Sequence, residues 1–208
     1  MTLPTWRTIA IIAAAVAGIV LLGLGGWLWT SIQQQRGMAA YTEALTRARQ
    51  SEGPETGSTA LRMQAIRDLE GVLALYPSNA MAPQAAYELA NLQFAAREYA
   101  KARAAYQVTI VKAGSGTLGT LARAGIGYAW EAERKLGDAL QAYQRALAEL
   151  RPTAFYYEEL LMDIARVQEL DSKKGDAVAT YRRILKDLPK GSRADDIRNR
   201  LATLGAIP

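Results

Sequence analysis

Four segments of this sequence lie over one another: QAIRDLEGVLALYP, YAKARAAYQVTIVKAG, LGDALQAYQRALAELRP and KGDAVATYRRILKDLP. Aligned, they place a small residue at Ala65, Ala102, Ala139 and Ala177, at intervals of 37, 37 and 38 residues. Four positions later stand Leu69, Tyr106, Tyr143 and Tyr181, and three beyond those Val72, Thr109, Ala146 and Ile184. Two helices fill a period of this length, which confines the chain to a helical solenoid. The residue types follow from that geometry. A methyl group is favoured where the two backbones of a hairpin cross, and a large side chain one turn on fills the space beside it. A lone hairpin exposes an apolar side, so stability has to come from stacking neighbours.

The breaks agree with this reading. Pro77, Gly114 to Gly116, Pro152 and Pro189 interrupt stretches that are otherwise helical by period, and little alternates in the manner of a strand. The segment 51–58, SEGPETGS, reads as a loop. The tail SRADDIRNRLATLG reads as a capping helix, with Ser192 as N-cap, Asp195 three residues on, a stripe of Ile197, Leu201 and Leu204, and Gly205 as the stop.

The second constraint is at the other end. From Thr8 to Trp29 the chain carries no charge, long enough at about 1.5 Å per residue to cross the roughly 30 Å of bilayer hydrocarbon. Trp6 stands at one end of this stretch and Trp27 and Trp29 at the other, where indole rings favour the headgroup region. An uncleaved membrane anchor is expected. Ala10, Ala14 and Gly18 form a stripe of small residues that allows two such helices to pack as a homo-oligomer. Arg7 on one side and Arg36, Arg47 and Arg49 on the other give a small charge bias toward a cytoplasmic carboxyl-terminal domain.

The expected organisation is a short tail at 1–7, a transmembrane helix at 8–29, a helical stalk and loop at 30–58, repeats over 59–191 (about three complete hairpins and a partial first one whose leading helix joins the stalk) and a cap over 192–208. The formal charge of +5 is spread along mixed helices, with no run of five like charges, so no nucleic-acid partner is expected. The chain has neither cysteine nor histidine. That removes the disulfide, the thiol nucleophile, the imidazole base and the usual structural zinc site. GSGTLG at 114–119 has the spacing of a dinucleotide fingerprint, but no strand precedes it, so it reads as a loop between repeats. Adjacent carboxylates such as Glu158 and Glu159 diverge on a helix and read as solvated. Neither an enzyme nor a cofactor is expected.

The repeated residues resemble the tetratricopeptide repeat (TPR) family. Ile126-Gly127 and Trp130 match the first helix of its pattern, and Ala139, Tyr143, Ala146 and Pro152 the second. Leu89-Ala90, Tyr99, Ala102 and Tyr106 supply another unit, and Ile164-Ala165, Ala177, Tyr181, Ile184 and Pro189 the last. The period exceeds the family's, and Gly114 stands where one terminal proline would be. The resemblance implies an all-α fold, a right-handed superhelix of TPR-like hairpins after one transmembrane helix. It also implies a partner-binding groove on the first helices, carried by Tyr87, Asn91 and Phe94, then Leu121, Ala124, Tyr128 and Glu131, then Glu159, Met162, Arg166 and Glu169. Partners would be other proteins or peptide segments. The family's carboxylate clamp is not expected, because Tyr87 replaces the needed lysine beside Asn91.

Anchor, stalk and hairpins together resemble the ancillary-subunit family of the bacterial Sec translocon. The stretch from Tyr76 to Tyr106 is also similar to envelope repeat proteins of outer-membrane assembly and Tol–Pal division. Those likenesses imply a bacterial inner-membrane protein with periplasmic repeats, assisting translocation, folding or envelope assembly. The arginine bias leaves open a self-assembling scaffold on the cytoplasmic face.

Overall fold

The computed structural model describes residues 6–51 and 58–206. Most of the expected tail at 1–7, the loop at 52–57 with Pro54, and the side chains of Arg7 and Ala10 lie outside the described residues. Among the described residues there are nine helices and no strand. They are α1 (Trp6–Gln50), α2 (Ser58–Leu75), α3 (Ala82–Ala95), α4 (Tyr99–Ala113), α5 (Thr117–Ala132), α6 (Leu136–Ala148), α7 (Tyr157–Leu170), α8 (Lys174–Asp187) and α9 (Ala194–Thr203). Each packs on its neighbours in sequence, as a solenoid requires. The pairs α1–α2, α3–α4, α5–α6 and α7–α8 form hairpins, and α9 closes the stack against α8.

The repeat residues occupy the crossings. Ala65, Ala102, Ala139 and Ala177 are all 0% exposed, and Leu69, Tyr106, Tyr143 and Tyr181 are buried one turn on. One buried cluster gathers Tyr41, Leu45, Leu69, Leu89 and Tyr106, and a second gathers Tyr143, Tyr157, Leu160, Tyr181, Ile197 and Leu201. Glycine permits the close approach of two tyrosine rings. A Cβ at Gly125 would run into the Tyr106 ring, and one at Gly127 into the Tyr143 ring.

The turns within hairpins share a device that no glycine advertises. Arg97, Arg134 and Ser172 adopt φ of 62°, 62° and 59°, and they recur with the period of the repeat. Each ends its helix by donating from its backbone N–H to a carbonyl three residues back, Phe94, Glu131 and Glu169 respectively. The next residue then donates five back, to Gln93, Trp130 and Gln168. GSGTLG is a turn between α4 and α5. Gly114 takes φ of 67°, Gly116 caps α5, and at Gly119 a Cβ would meet the Gly114 carbonyl.

The segment 30–58 carries the leading helix of the first hairpin: α1 is unbroken through Gln50, and its second half buries Tyr41, Ala44, Leu45 and Ala48 against α2 and α3. One expectation changes. The expected cap at Ser192 is absent. Arg193 holds the N-cap position without a side-chain bond, since the chain still turns there through Ala194 N–H to the Gly191 carbonyl. Asp195 instead meets Arg198 at 2.6 Å.

The first half of α1 is the one helix, among the described residues, long and apolar enough to cross a membrane. Among the described residues from Ala14 on, none of the apolar window is buried by the rest of the chain, and Trp6, Trp27 and Trp29 are all exposed.

Candidate functional site

Four of the residues expected on a first-helix groove border a hollow of about 400 Å³, lined by Phe94, Tyr106, Tyr128, Glu131, Ala132 and Arg166. Its aromatic wall is built by repetition. Phe94 ends α3 and packs edge-on to Tyr99 at 5.4 Å. Tyr106 leans from α4 across Tyr87 at 5.8 Å and donates its hydroxyl to Asn91 at 2.7 Å. Tyr128 rises from α5 edge-on to Tyr143 at 5.4 Å.

The polar side of the hollow is a bonded network. Glu131 accepts from the Tyr143 hydroxyl at 3.0 Å and pairs with Arg166 of the next hairpin. Arg166 also reaches Asp163 at 2.6 Å, and Tyr128 donates to the other oxygen of Asp163 at 2.6 Å. A hydroxyl has one proton, so Tyr156, 3.0 Å away, donates to Tyr128. Asp163 is 5% exposed. Burial pushes its carboxyl up to about 6, the Tyr128 hydrogen bond draws it back down, and the nearby Glu159 charge adds to the rise. Burial likewise raises the Tyr128 phenol, and its bond to Asp163 raises it further.

The same wiring recurs one repeat on with a different function. Glu169 accepts from Tyr181 at 2.7 Å and from Arg200 of the capping helix at 2.9 Å. Burial opposes its ionisation, but Arg200 and Tyr181 together hold its carboxyl below the ordinary value. Phe94, Glu131 and Glu169 are equivalent positions, 37 and 38 residues apart. At the first the chain has placed a ring, at the second an acid facing the hollow, and at the third a latch for the cap.

The eleven expected groove residues therefore separate. Phe94, Tyr128, Glu131 and Arg166 line the hollow, while Tyr87 and Asn91 support it from behind through Tyr106. Ala124 is no groove residue: it is 1% exposed, its methyl covered in the cluster around Tyr143 and Leu160. Met162 packs on that same cluster, and Leu121 is half-buried outside the hollow. Glu159 pairs with Arg193 at 2.6 Å, beside a second hollow lined in part by Phe155 and Tyr156. Sequence reasoning assigned Tyr106 to packing alone and missed Ala132 and Asp163. Tyr128 and Arg166 share one repeat position, and in the fold both converge on Asp163.

Among the described residues no group of three or more His, Cys, Asp or Glu is placed to hold a metal. The hollow offers aromatic faces, one cation and acids already engaged by that cation, which suits an apolar side chain on a polypeptide backbone.

No protein-family model matches the chain, and no curated protein matches it. A solved structure of MamA, residues 41 to the end, from Desulfovibrio magneticus RS-1 is similar to it, with a TM-score of 0.57 at 13% identity, over 75% of this chain and 77% of that one. That likeness concerns the fold, and with the hairpins described above it makes this chain an all-α superhelix of TPR-like repeats behind one apolar N-terminal helix.

Proposed function

We propose that this chain is a membrane-anchored TPR-like interaction module of the bacterial cell envelope, holding partner polypeptides during translocation, folding or envelope assembly. The observation that carries this reading is the hollow between Phe94, Tyr106, Tyr128, Glu131 and Arg166. It lies across successive hairpins, which is where a TPR-like stack presents first-helix side chains to an extended or helical segment. The exposed apolar half of α1 supplies the anchor.

The periplasmic side is favoured by the resemblance of anchor, stalk and hairpins to envelope repeat proteins, against a bias of only three arginines to one across the span. The rival reading, a self-assembling scaffold on the cytoplasmic face, rests on that bias. Since the chain has no cysteine, a single Lys174→Cys at the exposed start of α8 reports the side directly. An impermeant maleimide is expected to label it in intact spheroplasts. Protection until lysis would reject the periplasmic assignment and favour the scaffold.

A further inference from the structure

The direction of the chain fixes which end of the solenoid faces the span. Helix α1 runs away from Trp29 to Gln50 and α2 returns, so the turns between hairpins lie at the span end and those within hairpins at the far end. The first inter-hairpin turn is pinned to α1. Asn79 donates to the Gln34 carbonyl at 3.1 Å and to its side-chain oxygen at 3.0 Å, and Tyr41 donates to the Tyr76 carbonyl at 3.0 Å. Gly37 makes room for this contact; a Cβ there would stand 2.7 Å from Asn79 Nδ2 and 3.1 Å from Tyr76 Cγ. Leu75 reaches the same place, lining a hollow of about 160 Å³ with Gln33, Gln34 and Pro77. The end of α4 joins this edge, because Lys112 donates to the Pro77 carbonyl.

Gln34 is five residues beyond Trp29, about 8 Å along a helix. The headgroup layer on each side of a bilayer is about 5–7 Å thick. With Trp29 at the hydrocarbon boundary, this edge stands at the outer surface of the headgroups, and the pinned turn prevents it from swinging away. Its composition suits that position. Residues 72–83 carry no charge, residues 108–122 carry only Lys112, and α1 between Trp27 and Gly37 carries only Arg36. Leu75 is 74% exposed and Val111 76%. The third inter-hairpin turn carries Glu149 and Arg151, so the acid-free surface is confined to the first two. Every described turn at the far end carries both signs: Arg97 with Glu98, Glu133 with Lys135, and Asp171 with Lys173.

We propose that this acid-free edge, Leu75, Pro77, Val108, Val111 and Lys112, rests on the membrane surface. Its apolar side chains enter the headgroup layer, while Lys112 and Arg36 face the phosphates of anionic lipids. The solenoid is thereby held at a fixed tilt over the bilayer instead of swinging on its anchor. The inference rests on the reading of 8–29 as a span.

The test uses the full chain in vesicles of phosphatidylethanolamine and phosphatidylglycerol. Single-cysteine variants Val111→Cys, Leu75→Cys, Lys174→Cys and Leu21→Cys each carry an environment-sensitive fluorophore, quenched by nitroxide lipids labelled near the headgroup or deep in the acyl chain. Positions 75 and 111 are expected to lose about half their emission to the shallow quencher, position 174 almost none, and position 21 to respond to the deep one. Replacing phosphatidylglycerol with a zwitterionic lipid, or adding Lys112→Glu, should weaken shallow quenching at 111 by up to about fivefold. Quenching at 21 with none at 75 and 111 overturns the inference and leaves the anchor standing. Absence of quenching at 21 overturns both. Emission at 111 that shifts with protein concentration, without lipid quenching, assigns the edge to a second copy of the chain and also overturns it.

Discussion

Tyr143→Ala is expected to cost the repeat stack about 3–5 kcal/mol, the range for truncating a fully buried aromatic side chain. Tyr143 is 0% exposed, and its ring covers Gly127 so closely that no Cβ fits beneath it. It meets Tyr128 edge-on and donates to Glu131, so one side chain joins both helices of its hairpin to the wall of the hollow. At about 2–4 °C per kcal/mol for a domain of this size, the midpoint should fall by about 10 °C. Tyr143→Phe keeps the ring and loses one hydrogen bond to an acid that Arg166 still holds, which should cost about 1 kcal/mol. Thermal melts of the full chain in detergent, followed by circular dichroism, separate the two. Equal shifts for both variants would mean that the ring is not the keystone described here.

Arg166→Glu should be the next most damaging change, for an electrostatic reason. Arg166 is the cation between Glu131 and the buried Asp163, and reversing it leaves three carboxylates together. Because the side chain of Arg166 is 43% exposed, solvent screens part of the loss, and about 2 kcal/mol is expected at pH 7.5. The pH dependence carries the signature. Asp163 has its carboxyl raised to about 6 from an ordinary 3.8. The folded state therefore holds a proton that the unfolded chain releases, and stability from this group is full below the lower value and lost as pH rises through about 6. The penalty of Arg166→Glu should shrink in the same window as pH falls, since protonating Asp163 removes one of the three charges. A penalty unchanged between pH 8 and pH 5 would show that Asp163 takes no part.

The architecture was legible because its cause is periodic. A methyl is required wherever two hairpin backbones cross, and Ala65, Ala102, Ala139 and Ala177 recur for that reason and are all fully buried. The first helix of the first hairpin was legible too, as a helix continuing from the membrane stalk. Tyr41, Ala44, Leu45 and Ala48 sit at helical spacing and form a core face, although the segment looks like a polar stalk. The turns at Arg97, Arg134 and Ser172 left no such mark, because their left-handed backbone is compensated by paired helix-ending hydrogen bonds and not by glycine.

The site was legible only by halves. Repeat register located Phe94, Tyr128, Glu131 and Arg166, since equivalent first-helix positions face the same way. Which of these remain open to a partner depends on contacts between hairpins that register alone does not supply. Arg200 of the capping helix claims Glu169, and Arg193 claims Glu159. Nothing in the sequence sets Asp163 apart from the other acids of the helices. Only the fold shows Tyr128 and Arg166 closing over it.

The most direct test of the central claim asks whether the hollow holds a polypeptide. A photo-crosslinking amino acid at Ala132, an exposed residue on its rim, should give discrete adducts with polypeptide partners in the native membrane. The same group at Arg182, exposed on α8 and not among the lining residues, should give none. Adducts from Ala132 alone are the predicted result. Equal adducts from both positions, or none from Ala132 in a chain that is folded and membrane-bound, would contradict the account.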